Sequence, residues 1–220
     1  MVAADTVDRH QDLLNVAVRA GVSVVSVTVD EFSGLTDTVT PQGLVAVCRT
    51  VDVPLADALV GSPSLVVLCD QVRDPGNLGT VIRCADAFGA DAVLVSAESV
   101  DLYNPKTVRA TTGSLFHLPV AVEVDVATTV TLARERGLQV FGADGGGDCT
   151  LDELADSGEL ARPTLWVLGN EAWGLPTAHL SLLDRPVAIP IYGRAESLNL
   201  STAAAVLLYA TASARRAVRS

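Results

Sequence analysis

Short apolar runs alternate with stretches of helical spacing along this chain. From residue 61 onward the apolar runs are hydrophobic at nearly every position, as in a parallel sheet with helices on both of its faces. The predicted strands are Leu65–Cys69, Ala92–Val95, Leu118–Val122, Leu138–Phe141, Thr164–Leu168 and Val187–Ile191. The predicted helices are Leu78–Phe88, Pro105–Thr112, Val126–Arg136 and Asn199–Val218. The pattern therefore predicts an α/β fold with a mostly parallel sheet.

The first sixty residues follow a different pattern. Helical spacing runs from Asp8 to Ala20, and an apolar strand is predicted over Val22–Val29. A turn at Thr40–Gly43 leads to a further predicted strand, Leu44–Cys48. We therefore expect two parts, 1–60 and 61–220, with a boundary near Gly61.

The chain has 220 residues and a net charge of −11, which argues against a general polyanion binder. Residues 142–161 hold six acidic residues and no Lys or Arg. In the rest of 61–220 the acidic and basic residues are equal in number. A local basic face is therefore compatible with the charge. Its candidate members are Arg73, Arg83, Lys106, Arg109 and Arg194.

Cysteine usage and hydropathy bear on the compartment and on metal binding. The four cysteines lack CxxC spacing, which favours buried free thiols in a reducing cytosol over a metal site. No apolar run approaches the ~20 residues that span a bilayer, and no signal peptide is recognised at the N-terminus. We expect a cytoplasmic protein with no metal and no membrane segment. His10, His117 and His179 fall in no motif and are interpreted as structural.

The segment Asp70–Arg83 carries the first candidate site. It leaves a strand, turns through Pro75-Gly76 and is predicted to open a helix with Asn77 as its N-cap. A helix N-terminus after such a loop can bind an anion, including RNA phosphate. The spacing of Gly76 and Gly79 also resembles a dinucleotide-binding loop, but the first glycine of that motif is missing.

Two further loops follow strand-like runs near the C-terminus. They are Leu168–Leu175 and Ile189–Ser201, both rich in Gly and small polar residues, which let a ligand approach the backbone closely. By contrast, Gly142–Gly147 lacks the Lys-Ser/Thr of a phosphate-binding loop and is predicted to be a surface loop.

In order, these segments resemble three motifs of the SpoU (TrmH) family of RNA 2′-O-ribose methyltransferases, a branch of the SPOUT superfamily. The matching residues are Asn77-Leu78-Gly79-x3-Arg83, Gly169-Asn170-Glu171, and Ile189-Pro190 with Ser197-Leu198-Asn199-Leu200-Ser201. The resemblance covers roughly residues 62–215. It implies a C-terminal deep trefoil knot, a homodimer and a bound S-adenosylmethionine.

The resemblance also implies roles for individual residues. Contacts to S-adenosylmethionine fall on Gly169, Ile189 and Leu198, with Leu168 and Ile191 packing on the adenine. No metal is required for the reaction.

For catalysis, the resemblance makes Arg83 the candidate that activates the ribose hydroxyl. A neutral arginine is costly at pH 7 because its pKa is ~12.5 or more, so we favour a positioned cation. Asn77, Ser197 and Asn199 are expected to hold the ribose or Arg83. Glu171 is expected to orient Asn77 or Arg83, or to accept a proton through water.

The N-terminal part resembles the second half of an L30e-like RNA-binding domain. Residues 1–11 are too few to supply the first half, so a shortened form or a late start is expected. Because such domains accompany rRNA-acting members, 23S rRNA is favoured over tRNA as substrate. The other hypotheses are a non-catalytic RNA-binding module with the same fold and a small-molecule enzyme with a nucleotide site.

Overall fold

A seven-stranded parallel sheet organises most of the chain in the computed structural model, which describes residues 1–36 and 40–219. The strands are β1 (Val2–Ala3), β2 (Ser26–Val27), β3 (Leu65–Cys69), β4 (Ala92–Ser96), β5 (Val120–Val124), β6 (Gln139–Ala143), β7 (Cys149–Thr150), β8 (Thr164–Leu168) and β9 (Arg185–Ala188). The α-helices are α1 (Gln11–Arg19), α2 (Val29–Ser33), α3 (Leu55–Ala58), α4 (Pro75–Ala87), α5 (Pro105–Thr111), α6 (Val126–Glu135), α7 (Leu151–Asp156), α8 (Thr177–Leu180) and α9 (Leu200–Arg219). The sheet order is β5-β4-β3-β8-β6-β9-β7, and its pairings are parallel. The predicted α/β class is confirmed.

Strands β3, β4 and β8 are buried at every position because each face of the sheet carries a core. In β3, the side chains of Leu65, Val67 and Cys69 lie in one core, and those of Val66 and Leu68 lie in the other. Helices α4, α7 and α9 pack on the first face, while α3 and α6 pack on the second. Full burial of one such aliphatic side chain contributes about 1.5–3 kcal/mol. Within the described residues, no helix has the length and hydropathy needed to cross a membrane.

Helix α4 begins earlier than predicted, and the expected N-cap at Asn77 is wrong. The N-cap is Asp74, whose Oδ1 accepts a hydrogen bond of 2.8 Å from the backbone N–H of Asn77. Pro75 occupies the first helical position, where a missing N–H has no cost. Asn77 therefore lies inside the first turn, and its side chain is not used to cap the helix.

The segment predicted as a Gly-rich, acidic surface loop is only partly a loop. Gly142 belongs to β6 and is buried; a Cβ there would lie 2.3 Å from Cδ1 of Leu183. Farther on, Thr150 and Glu153 form a reciprocal capping box that starts α7. That Thr-x-x-Glu spacing is the sequence signal for the helix.

Strand β9 ends at Ala188, so the predicted extension of this strand to Ile191 is wrong. Pro190 has no N–H to donate to a neighbouring strand, and the chain leaves the sheet before it. The consequence is that Ile189 and Ile191 lie in a loop beyond the strand rather than within it.

Residues Met1–Thr50 form a compact unit of their own. Its strands β1 and β2 pair in parallel through Val2 with Ser26 and Ala3 with Val27. The predicted strand Val22–Val29 is present but shorter, as Ser26–Val27, and the predicted strand Leu44–Cys48 is wrong, since Leu44 makes an isolated bridge to Val2. The resemblance of this unit to an L30e-like domain stays a prediction.

The second unit begins at Val51, ten residues before the boundary expected from the sequence. Its first residues are tied to the sheet domain by hydrogen bonds. The backbone N–H of Val53 donates to the carbonyl of Val120 (2.9 Å), and that of Val51 donates to Oη of Tyr103 (2.7 Å). Leu59 is fully buried. These contacts place residues 51–60 with the larger unit.

Candidate active site

A cavity of about 710 Å³ lies where several strands of the sheet end. It is lined by residues that follow the carboxyl ends of β6, β8 and β9, together with the start of α9. Open parallel sheets bind their ligands at this edge, and small-molecule sites span about 300–1,000 Å³. The cavity contains eight of the ten predicted site residues: Asn77, Gly169, Glu171, Ile189, Ile191, Ser197, Leu198 and Asn199.

A chain of side-chain hydrogen bonds links the three motifs at this cavity. Nδ2 of Asn199 donates to Oδ1 of Asn77 (3.0 Å), and Nδ2 of Asn77 donates to Oε1 of Glu171 (3.0 Å). Oδ1 of Asn199 accepts from the backbone N–H and the hydroxyl of Ser201 at the start of α9 (2.9 and 2.7 Å). Because each amide has one oxygen and one nitrogen, every bond in the chain fixes the orientation of the next group.

Glu171 is the acceptor at the end of this chain. Its carboxylate also accepts from the backbone N–H groups of Arg73 and Asp74, each at 3.3 Å. Partial burial raises the pKa of Glu171, but the hydrogen bonds from the Asn77 side chain and from backbone N–H groups outweigh it and lower the pKa below its ordinary 4.5. Glu171 is therefore ionised at neutral pH. It orients Asn77, which is one of the two residues, Asn77 and Arg83, that it was predicted to orient.

The loop that carries Glu171 folds back on itself at two glycines. Asn170 and Gly174 exchange two backbone hydrogen bonds of 2.9 Å. A Cβ on Gly169 would lie 2.4 Å from the carbonyl carbon of Gly174 and 2.6 Å from the nitrogen of Leu175. No side chain fits there unless the backbone moves, so Gly169 is required for the shape of the cavity wall.

Two predicted site residues lie outside the cavity lining. Leu168 is buried in β8, where it pairs with Cys69 of β3. Arg83 is exposed on α4, and its side chain makes no ion pair or hydrogen bond with the described residues. It lies six positions after Asn77 in the helix, a displacement of about 9 Å along the axis and roughly a third of a turn around it. The structure therefore separates Arg83 from the other predicted catalytic residues within one chain.

Several lining residues were not among the predicted site residues, although Asn170 lies within the second motif. Asp144 and Gly145 line the cavity immediately after β6, and Asn170 lines it after β8. Nδ2 of Asn170 donates to the carbonyl of Gln71 (2.7 Å), which ties the second motif to the first. The edge rule for parallel sheets would have pointed to the residues after β6, because that strand was predicted.

The candidate basic face and the loop before Ser197 are largely solvent-exposed. Nζ of Lys106 is 3.0 Å from Oδ2 of Asp74. Within the described part of the chain, no ion pair involves the other four candidates: Arg73, Arg83, Arg109 and Arg194. In the loop, Oη of Tyr192 donates to Oδ2 of Asp152 (2.7 Å), and this bond raises the pKa of Tyr192.

Comparison with known proteins gives this geometry a context. The model of the SpoU rRNA methylase family matches residues 64–209. The chain is 39% identical over 189 residues to the 23S rRNA (guanosine(2553)-2′-O)-methyltransferase RlmP of Bacillus subtilis, covering 86% of this chain and 72% of that protein. It is 42% identical over 151 residues to the 23S rRNA (uridine(2479)-2′-O)-methyltransferase of Streptomyces viridochromogenes, covering 66% of this chain and 51% of that protein.

Solved structures show the same fold. The SpoU methyltransferase AviRb from Streptomyces viridochromogenes, in complex with AdoMet, superposes with a TM-score of 0.82 at 32% identity, covering 100% of this chain and 82% of that one. The AdoMet-bound rRNA methyltransferase from Sinorhizobium meliloti gives a TM-score of 0.79 at 32% identity, with 100% and 80% covered.

Proposed function

Because the chain belongs to the SpoU rRNA methylase family, we propose that it methylates a ribose 2′-hydroxyl of RNA with S-adenosylmethionine as donor. One observation carries this proposal. The hydrogen-bond chain from Asn199 through Asn77 to Glu171 joins all three motifs at one cavity. Residues far apart in the sequence meet there in one polar constellation, as a substrate site requires.

The cavity suits S-adenosylmethionine in size and lining. The backbone around Gly169 and Ile189 is available to its polar groups, and the apolar side chains of Ile191 and Leu198 are available to its adenine. When bound, the cofactor supplies an electrophilic methyl group. Leu168 acts indirectly, since it holds the end of β8 inside the sheet.

The acceptor ribose is held by polar side chains on the other side of the site. In the hydrogen-bond chain, each of the two amide nitrogens, on Asn77 and Asn199, uses one of its two hydrogens. The remaining hydrogens are oriented donors for the ribose, and Ser197 adds a hydroxyl. Ionised Glu171 can accept a proton but cannot donate one, so it fixes Asn77 and receives, through water, the proton that the hydroxyl loses when its oxygen takes the methyl group. Holding the hydroxyl in a reactive geometry is a large part of such catalysis.

Arg83 serves in this proposal as a positioned cation for RNA. Its exposed side chain has no partner within the described chain and is free to pair with a phosphate or with developing negative charge. The favoured substrate is 23S rRNA, as in the names of the relatives above. The protein is also proposed to be a homodimer and to carry the C-terminal trefoil knot, as expected for the family.

Two measurements test the function. Titration calorimetry should detect S-adenosylmethionine binding, and tritiated methyl groups should enter rRNA that lacks its native modifications. Binding of NAD in place of S-adenosylmethionine would contradict the proposal. Asn77→Ala should abolish transfer, while Asn15→Ala, a matched change on exposed α1, should not.

The role of Arg83 needs its own comparison. Arg83→Ala should reduce methyl transfer but leave binding of S-adenosylmethionine unchanged, because Arg83 does not line the cavity. Arg162→Ala removes another exposed arginine, which precedes β8 and lies outside the cavity lining, and serves as the control. Equal transfer by both variants would remove Arg83 from the mechanism and leave the function itself untouched.

A further inference from the structure

Asp70 and His179 form an ionisable pair next to the proposed site, and neither residue has a role in the function proposed above. Asp70 directly follows β3 and is fully buried. Its Oδ2 is 2.5 Å from Nδ1 of His179 in α8, while its Oδ1 has no hydrogen-bond partner among the described residues. One proton between Nδ1 of His179 and Oδ2 of Asp70 makes this hydrogen bond. Buried carboxylates persist when they are paired, and His179 is the partner that this one has.

Two consecutive residues hold the two ends of one loop. The carbonyl of Gln71 accepts from Nδ2 of Asn170, and the carboxylate of Asp70 binds His179. We call residues 170–179 the clamped loop. Gln71 has a φ of +56°, a left-handed conformation that residues other than glycine rarely adopt. Its N–H is held by Oγ of Ser96 (2.9 Å), which supports this conformation.

The clamped loop forms a wall of the cavity. Asn170, Glu171 and Gly174 line the cavity, and Glu171 ends the hydrogen-bond chain described above. The turn at Asn170–Gly174 is closed by its own backbone bonds, so it moves as a unit. Beyond Gly174 the loop is held by apolar packing of Leu175 and by the His179 side chain. Release of His179 therefore frees one end of the unit that positions Glu171.

Carboxylates face His179 from two elements. Asp70 lies at the end of β3, and Asp125 is the N-cap of α6. The pKa of Asp125 is lowered, chiefly by hydrogen bonds from Thr128 and in smaller part by the charge of His179. The imidazole is thus set between the sheet and α6, which favours a fixed orientation of α8.

We propose that Asp70 and His179 are positioning residues for methyl transfer, because their pairing holds the clamped loop in the shape that binds S-adenosylmethionine and orients Glu171. This inference rests on the proposed function. Neither residue lines the cavity, so both act through the loop and not on the substrate.

The test compares two histidine–aspartate pairs in the full chain. His179→Leu should raise the Kd for S-adenosylmethionine by about tenfold or more, because small displacements of a site carry large penalties. His179→Asn retains a donor near the position of Nδ1 and should restore most of the affinity. His117→Leu is the control, since Nδ1 of His117 lies 2.7 Å from Oδ2 of Asp86 on α4, where His117 is exposed and both residues are outside the clamped loop. It should bind like the wild type.

Hydrogen exchange separates positioning from general stability. Amides of residues 169–175 should exchange faster in His179→Leu than in His117→Leu, while strands β3 and β4 stay protected. If His179→Leu fails to fold, Asp70→Leu with His179→Leu removes both partners of the bond without leaving a buried carboxyl unpaired, and should show the same faster exchange and weaker binding. Unchanged affinity and exchange in folded His179→Leu or in this double variant would overturn the proposal. Failure of the wild type to bind S-adenosylmethionine would instead reject the proposed function.

Discussion

The two compact units of this chain carry similar apolar patterns but bury them very differently. In the larger unit, two cores cover both faces of the sheet. In the described residues of the smaller unit, the buried apolar side chains are Val2, Ala3 and Phe32. The two units have comparable apolar periodicity. They differ in whether other elements pack against those apolar residues.

Helices α1 and α4 show this most directly. Both have helical spacing of apolar residues. In α1, Leu13 and Val16 are 55% and 54% exposed, whereas in α4 Leu78, Val81 and Ile82 are fully buried. An amphipathic pattern predicts a helix, but burial requires a partner surface. The strands show the same contrast. β3 lies between β4 and β8, whereas β2 pairs with β1 alone in a two-stranded sheet. Such a small sheet is marginal by itself.

Matched leucine substitutions should reveal the contrast as the largest difference in stability. Leu65→Ala is expected to lower the free energy of unfolding by about 2–5 kcal/mol, since Leu65 is fully buried in a central strand. Leu13→Ala in α1 should change it by no more than about 0.5 kcal/mol, because more than half of that side chain is already exposed. Denaturant unfolding followed by circular dichroism measures both. Equal losses would mean that the apolar side of α1 is covered in solution.

A glycine substitution should show how closely the site depends on the packing of the larger unit. Gly169→Ala places a methyl group against the backbone of Gly174 and Leu175, so the loop that carries Glu171 must shift. The Kd for S-adenosylmethionine should rise about 10–100-fold, equivalent to roughly 1.4–2.8 kcal/mol. Calorimetry gives this value directly.

The control for that change is Gly193→Ala. A Cβ on Gly193 meets no atom within 4 Å and its φ is not positive, so near-normal affinity is expected. Normal affinity of Gly169→Ala as well would show that the cavity wall tolerates displacement, and would weaken the case for a rigid site in the larger unit.

The same contrast governs what could be predicted from the sequence. The bounds of β3 and β8 were predicted correctly because both are nearly continuous apolar runs that end at Gly, Pro or polar residues. The strands of the smaller unit were not, since the apolar run Val22–Val29 lacks the neighbours that would extend it. Local composition determines which element a segment favours, while partners decide how much of it forms.

The site shows a comparable limit. Motif order predicts that Asn77, Glu171 and Asn199 share one site, and the structure adds the hydrogen bonds between them. The position of Arg83 away from the cavity follows from helix geometry once α4 is known to contain both residues. The tie between Asp70 and His179 had no sequence signal, because its two residues are 109 positions apart and belong to no shared motif.

Glu171 in the larger unit and Glu31 in the smaller unit both have a lowered pKa. Changes in these pKa values are expected to be a smaller effect than the changes in stability and binding above. The pKa of Glu171 is lowered because hydrogen bonds outweigh partial burial, while that of Glu31 is lowered by the backbone and side chain of Thr28 in a local capping box. Both carboxylates therefore stabilise the folded state above pH 4.5, and this contribution is lost as the pH falls through the lower folded pKa.

Carboxyl NMR titration should separate the two cases. Asn77→Ala should raise the midpoint of Glu171 and leave Glu31 unchanged, whereas Thr28→Ala should do the reverse. The reason is that Glu171 depends on a contact 94 residues away and Glu31 on one 3 residues away. If the titration midpoint of Glu171 is the same in Asn77→Ala as in the wild type, the chain of side-chain hydrogen bonds is not maintained in solution.

Removal of the smaller unit should have the least effect on the cofactor site. The residues that line the cavity fall between Asn77 and Ala203, and the larger unit has its own two cores. A chain that starts at Val51 should therefore fold and bind S-adenosylmethionine with nearly the affinity of the full chain, as calorimetry would measure. RNA affinity should fall instead, because the first fifty residues resemble part of an RNA-binding domain. Loss of cofactor binding on truncation would show that the larger unit depends on the smaller one, and the contrast between a self-sufficient and a dependent unit would then be wrong.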